Sequence, residues 1–425
     1  MKQYIVPYPI LEEILPNGLH LTIVQRKDHH HMSAQFAFPF GSLHEAITDK
    51  QGNRLEIAAG TAHFLEHQLF RQPDGSSSSD AFAALGAYDN AFTNFDHTVY
   101  MADCSDRQLE VLQLLLDFTS QPCFNKESVD NEREIIIQEL MMYRDQPEER
   151  LELNLRHCLY GDHRAGQDIG GEPESVALVT AELLYQCYEA FYQPALARLV
   201  VIGDMDPAAV YRMAAQWGSG RQISYQPVQP TAALQSDAQS ELTLAMRAAR
   251  PLLALGFTDD RQVVLNGKAL LRRQLEMDLI LDIICGKSSA IYWEFTEKEL
   301  FSSFFSADYL ATPWFGAVSW SADSNTPKEL QERLLQYLRS GEALATLTNE
   351  NLERMKKKTL GELLGCFESG EALAVNLLTA NLYGYSFTDI PDVLIEITVS
   401  DLLCRLEKLV ETKRMAISFI DPLRE

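Results

Sequence analysis

Within Ala62-His63-Phe64-Leu65-Glu66-His67, two histidines stand four residues apart. On a helix that spacing places both imidazoles on one face, one turn above the other, where they could grip a single metal ion. Glu66, one residue before the second histidine, falls beside that face and within reach of a water at such an ion. The arrangement is the inverted form of the His-Glu-x-x-His zinc motif. The bland alternative is two surface histidines and a glutamate on an amphipathic helix.

A catalytic zinc needs a third protein ligand and one position left open for water. The stretch NEREIIIQELMMYRD supplies candidates, because Glu132 and Glu139 are seven residues apart and share a helical face. Ile135, Ile136 and Leu140 are expected on the buried side of that helix. A carboxylate leaving a well-anchored helix at a fixed point is what a rigid site requires.

These groups need elements to hold them. Asn17-Gly18 marks a turn, after which LHLTIVQR and SAQFAFPFGS alternate as strands do. Apolar spacing predicts helices over about 59–72, 80–86, 107–118, 126–144 and 181–192, with strand-like stretches at 87–103 and ARLVVIG. Residues 218–240, rich in Gly, Ser, Gln and Pro, read as a linker. Beyond it come ELTLAMRAA and PLLALGFT, a long helix over about 262–285, a strand near WFGAVSWSAD and a final strand RMAISFI. Both halves end in a helix, an apolar strand and an Asp-Pro, which suggests an internal duplication. The expected division is a metal-binding domain over 1–217, the linker 218–240, and a related domain over 241–425. Strands and helices mix without regular βαβ alternation, so each half reads as α+β.

With 425 residues, 46% of them hydrophobic and 23% charged, the chain has ample apolar material for two cores. A formal charge of -24 argues against nucleic acid, whose phosphates need a concentrated basic surface, and against anionic membranes. No apolar run approaches the roughly 20 residues that cross a bilayer. The N-terminus lacks a secretory pattern, and seven scattered cysteines without a Cys-x-x-Cys pair suit a reducing cytoplasm, so a cytoplasmic location is expected. His29-His30-His31 reads as a solvated loop.

The chain resembles the pitrilysin-type, or M16, zinc metallopeptidases. Their signature is His-x-x-Glu-His followed some seventy-odd residues later by a glutamate ligand, and the step from His67 to Glu139 matches. Gly41-Ser42, AAGTAHFLEHQLF, DNAFTNFDHTVY and NEREIIIQEL extend the likeness over about residues 17–210; CGKSSAIY carries a weaker one in the second half. The resemblance implies zinc as cofactor on His63, His67 and Glu139, Glu66 as catalytic base, and Glu132 as an acid supporting the site. It implies that Asn90 and Ala91 hold substrate backbone on an edge strand. It further implies two related α+β domains, each an antiparallel-rich sheet with helices on one face, forming half of a clamshell. Half-length chains of this kind assemble from two subunits around a chamber that admits short or unfolded peptides.

One part of the pattern is missing. The family uses an arginine and a tyrosine, seven apart in the second half, to stabilise the oxyanion. No arginine occurs here between Arg273 and Arg333, and WEFTEKELFSSFFS carries Glu297, Glu299 and Phe304 in that region. Tyr292 and Tyr309 are near but out of register. The implied partner is a second M16-like subunit that supplies the pair.

Overall fold

A computed structural model of the chain describes residues 7–27, 29–72, 74–233, 240–259, 264–411 and 415–423. Residues 1–6, part of the expected linker (234–239), and the first two residues of the helix expected from 262 lie outside the described residues.

Two α+β units emerge. The first gathers residues 1–140, 168–230 and 363–382; the second gathers 141–167, 231–362 and 383–425. Besides the passage between 230 and 231, the chain thus changes unit after residues 140, 167, 362 and 382.

In the first unit the strands are β1 (Ile10–Ile14), β2 (His20–Gln25), β3 (Met32–Phe38), β4 (Ala46–Asp49), β5 (Arg54–Glu56), β6 (Tyr88–Thr93), β7 (Thr98–Cys104), β8 (Arg198–Gly203) and β9 (Tyr225–Pro227). The main sheet runs β1-β2-β8-β3-β7-β6, and β5-β4-β9 form a small second sheet. In the second unit β10 (Glu241–Met246), β11 (Leu252–Thr258), β12 (Phe305–Ala311), β13 (Gly316–Asp323) and β14 (Met415–Pro422) make a sheet ordered β10-β14-β11-β13-β12. The two sheets share one plan. A first strand pairs in parallel with the last (β2 with β8, β10 with β14), and all remaining pairs of the shared five-strand order are antiparallel. Both end on the outer strand of a hairpin, β6 or β12. This common topology is the structural counterpart of the repeated helix-strand-Asp-Pro ending.

Strand β3 is buried along its whole length, which suits a central position between β8 and β7. Phe36, Phe38 and Phe40 interleave with Tyr100, Phe191, Tyr192 and Trp217 to form the aromatic centre of the first unit's core. The segment expected as one strand over 87–103 is instead the hairpin β6–β7, closed where the Asn94 amide donates to the His97 carbonyl at 2.8 Å. Polar residues at 94–97 break the alternation there and make the turn.

Helices of the first half of the chain include α1 (Thr61–Leu69), α2 (Ser78–Ala84), α3 (Gln108–Ser120), α4 (Lys126–Arg144) and α5 (Pro147–Tyr160). The last was not anticipated, although Pro147 at its start, Glu148 and Glu149 in its first turn, and buried Leu151 and Leu155 are ordinary helix signals. Helix α4 buries Val129, Glu132, Ile136 and Leu140. Ile135, expected on that buried side, is 45% exposed. It lies one residue, or about 100°, from Ile136 around the helix, and the buried position goes to Glu132 because that carboxylate is fully partnered.

In the second unit, the buried Asp323 carboxylate at the end of β13 accepts from the Ser303 amide (2.7 Å), the Phe304 amide (3.0 Å), the Ser303 hydroxyl (2.8 Å) and Arg250 (3.3 Å). Burial pushes its pKa up, but the Phe304 and Ser303 hydrogen bonds outweigh that and bring it down to about 2. A folded-state pKa below the ordinary 3.8 means that the stabilisation is present above that value and is lost as pH falls towards 2. Asp323→Ala is expected to lower the unfolding free energy at pH 7 by about 1–3 kcal/mol. In urea titrations the gap from the wild type should narrow between pH 4 and pH 2.

Candidate functional site

Helix α1 begins at Gly60, whose φ of +83° an L side chain rarely adopts. A Cβ there would also overlap the carbonyl oxygen of Gly170, so two glycine-bearing segments can approach closely beneath the helix N-terminus. Thr61, Ala62, Phe64, Leu65 and Leu69 are buried and anchor the helix in the core. This leaves His63 and His67 on the open side, their ring centroids 4.6 Å apart.

Glu139 reaches the same point from α4. Its Oε2 lies 3.9 Å from His63 Nε2 and 3.5 Å from His67 Nε2. These separations are too long for hydrogen bonds, yet close to the roughly 3.3 Å between ligand atoms that bonds of about 2.0–2.1 Å impose around a tetrahedral zinc. Ligand atoms of His63, His67 and Glu139 all fall within 4.8 Å of one another, and among the described residues this is the one such metal-ligating group. The three residues fit a zinc ion with room for a fourth, exogenous ligand. The bland surface-pair alternative does not account for a carboxylate brought 72 residues along the chain to the same spot.

The remaining carboxylates fix the protonation pattern. His67 Nδ1 lies 3.1 Å from Glu132 Oε1, and Glu132 Oε2 accepts from Arg71 Nε at 3.0 Å. A hydrogen on Nδ1 donated to Glu132 leaves the Nε2 lone pair facing Glu139 and the metal position. Burial disfavours charge on His67, but the Glu132 hydrogen bond, with Glu66 and Glu139 nearby, outweighs it and raises the pKa. Glu132 is buried, which raises its own pKa, and the His67 and Arg71 hydrogen bonds reverse the sign and hold it down. Burial, reinforced by neighbouring His67, drives His63 down to about 3, so its imidazole is neutral and able to ligate.

Glu66 is only 7% exposed. Its Oε2 accepts the Thr93 hydroxyl at 2.5 Å. Burial lifts its pKa to about 7 against the lowering effects of Thr93 and His67, with Glu139 adding to the rise. A carboxyl poised there can take up and release a proton near neutral pH.

Asn90 and Ala91 sit on β6, the end strand of the main sheet, paired to β7 through Asn90↔Met101 and Ala91↔Tyr100. Among the described residues no other strand pairs the outer edge of β6. Asn90 is exposed, and its Oδ1 accepts from the Ala91 amide at 2.9 Å. Both border a pocket of about 340 Å³ that also includes Glu66, His67, Arg71 and Glu132. Of the seven residues singled out from the sequence, Glu66, His67, Asn90, Ala91 and Glu132 line this recess, and His63 and Glu139 meet His67 in the candidate metal group beside it. Sequence reasoning passed over Arg71 and Thr93, although Arg71 directly follows the stretch AAGTAHFLEHQLF and Thr93 lies within DNAFTNFDHTVY, and both could have been found by asking what partners a buried carboxylate at 132 or 66 would need. A larger cleft of about 870 Å³ lies in the second unit, lined by Asp278, Asp282, Tyr292, Asp308 and Lys358 among others, and holds no histidine. In the same unit Tyr309 is engaged by Asp259, to which its hydroxyl donates at 2.5 Å.

An inverted His-x-x-Glu-His helix joined by a distant glutamate, in one of two α+β units of shared topology, is the architecture of an M16 peptidase. The chain belongs to that family: residues 33–172 match Insulinase (Peptidase family M16), and residues 178–359 match the Peptidase M16 inactive domain. It is 31% identical over 418 residues to YmfH of Bacillus subtilis, named an uncharacterized zinc protease, covering 97% of this chain and 96% of that one. The solved structure of an M16-like peptidase from Alicyclobacillus acidocaldarius superposes with a TM-score of 0.91 at 28% identity, covering 99% of both chains. Pitrilysin shares the fold with a TM-score of 0.75 at 17% identity; 99% of this chain corresponds to 46% of pitrilysin.

Glu132→Gln removes the charged acceptor that orients His67 while leaving the three candidate ligands in place. Zinc affinity, measured by competition with a chromogenic chelator, is expected to fall about 10- to 100-fold. Glu139→Ala should weaken it further, and an unchanged affinity in both variants would remove this recess as the metal site.

Proposed function

We propose that this chain is the metal-bearing subunit of a zinc endopeptidase that hydrolyses short or unfolded peptides, with a second M16-like subunit completing the site. The observation that carries the reading is the convergence of His63, His67 and Glu139 within ligand distance of one another beside a buried Glu66.

Zinc bound there would supply a Lewis acid that polarises the scissile carbonyl and acidifies the attacking water. The chain's own residues do the rest. Glu66, buried and held by the Thr93 hydroxyl beside the candidate ligands, takes the proton from that water and hands it to the leaving amine nitrogen. Glu132 and Arg71 keep His67 in the tautomer that presents Nε2. The free edge of β6 at Asn90 and Ala91 adds an extended peptide as a further strand, so that backbone hydrogen bonds give affinity with little demand on sequence.

The partner is inferred from two observations. The segment Tyr292–Tyr309 offers no arginine, and Tyr309 is committed to Asp259. The chain also corresponds to 46% of pitrilysin, and the family resemblance implies that halves of this kind pair around a chamber. A homodimer would have to stabilise the oxyanion by other groups.

Cleavage of a quenched fluorogenic peptide by the zinc-loaded chain, alone and with a second M16-like subunit from the same organism, tests the reading. Wild-type protein should cleave, more strongly with the partner, and Glu66→Gln should lower kcat by about a hundredfold or more. Zinc-free protein that binds peptides without cleaving them in any combination would make the chain a peptide-binding scaffold instead.

A further inference from the structure

Thr93 has one hydroxyl hydrogen and two side-chain oxygens within its reach. Its Oγ1 lies 2.5 Å from Glu66 Oε2 and 3.1 Å from Thr98 Oγ1. Thr98 is buried and donates its own hydrogen to the Phe40 carbonyl at 2.8 Å, so towards Thr93 it can act only as an acceptor. Between the two acceptors the Thr93 hydrogen goes to Glu66 Oε2, which at 2.5 Å against 3.1 Å is the nearer and, when ionised, the stronger. Thr93 ends β6, two residues beyond Ala91 and on the same side of the strand, and it pairs with Thr98 across the hairpin. One hydroxyl thus links the glutamate of α1 to the edge strand.

We infer that Thr93 is a positioning residue: it holds Glu66 Oε2 in place and sets that carboxylate in register with a peptide on β6. The inference rests on the proposed peptidase reading in assigning Glu66 the proton transfer. Its physical content, that Thr93 determines where the Glu66 carboxylate sits, does not depend on turnover.

The test uses zinc-loaded Thr93→Val, which keeps the shape and removes the hydroxyl, and Thr93→Ser, which restores it; Thr93→Ala substitutes for the valine variant should that fail to fold. Each is assayed with the partner subunit for kcat, KM and bound zinc, and each is crystallised. Misplacing a reacting group by about 1 Å can cost on the order of a hundredfold, so kcat per bound zinc should fall about 10- to 100-fold in Thr93→Val, with KM within about threefold. Thr93→Ser should recover to within about threefold of the wild type. A kcat unchanged in Thr93→Val, a serine variant as slow as the valine, or an effect confined to KM or to zinc content overturns the inference. If the wild type cleaves nothing, the peptidase reading fails and the crystals decide this one. Glu66 should keep its place in the wild type and the serine variant and turn away in the valine variant; the same placement in all three overturns it.

Discussion

Three carboxylates, Glu66, Glu132 and Glu139, crowd around His63 and His67 in a recess partly closed to water, and desolvating that much like charge is costly unless each group is matched. Each is matched differently. Glu132 is held by Arg71 and His67, and Glu66 accepts the Thr93 hydroxyl. Glu139 lies 3.5 and 3.9 Å from the two imidazoles, close enough for coordination and too far for hydrogen bonding. With Glu66 ionised, three negative charges face the single guanidinium of Arg71, and the two left over are what one divalent cation neutralises. The left-handed turn at Gly60, the close approach to Gly170 and the buried face of α1 all serve to hold that set in place.

The shared sheet plan shows how one unit specialises. In the second unit, the helix Gly267–Cys285 follows β11 as α1 follows the central strands of the first, and it too precedes a short helix and the outer hairpin. It carries Asp278 and Asp282 four residues apart, with Asp282 tied to Lys358 at 2.7 Å. The same spacing that puts two imidazoles on one face of α1 here puts two carboxylates, one of them already paired with a cation. Similar topology therefore does not repeat the chemistry, because the donor set differs.

Much of this was legible from residue spacing. The four-residue step of His63 and His67 and the acid-rich periodicity of 126–144 pointed to the candidate metal group, since both rest on helical geometry that burial reinforces. What escaped were features set by tertiary partners. Ile135 looked as buried as Ile136, but a partnered Glu132 takes the inner position on α4. The hairpin within 87–103 was hidden because β-favouring residues run on both sides of a short polar turn. Thr93 and Arg71 carry no periodic signal at all; their roles exist only through the oxygens they contact.

Metal coordination is the claim on which the rest depends, and the X-ray absorption spectrum of the zinc-loaded chain at the zinc edge tests it most directly. The account predicts one zinc per chain with two imidazole nitrogens and a carboxylate oxygen at about 2.0–2.1 Å, the imidazole signal falling on His67→Ala. Sulfur ligation at about 2.3 Å, or a spectrum unchanged by that substitution, would place the metal elsewhere and contradict it.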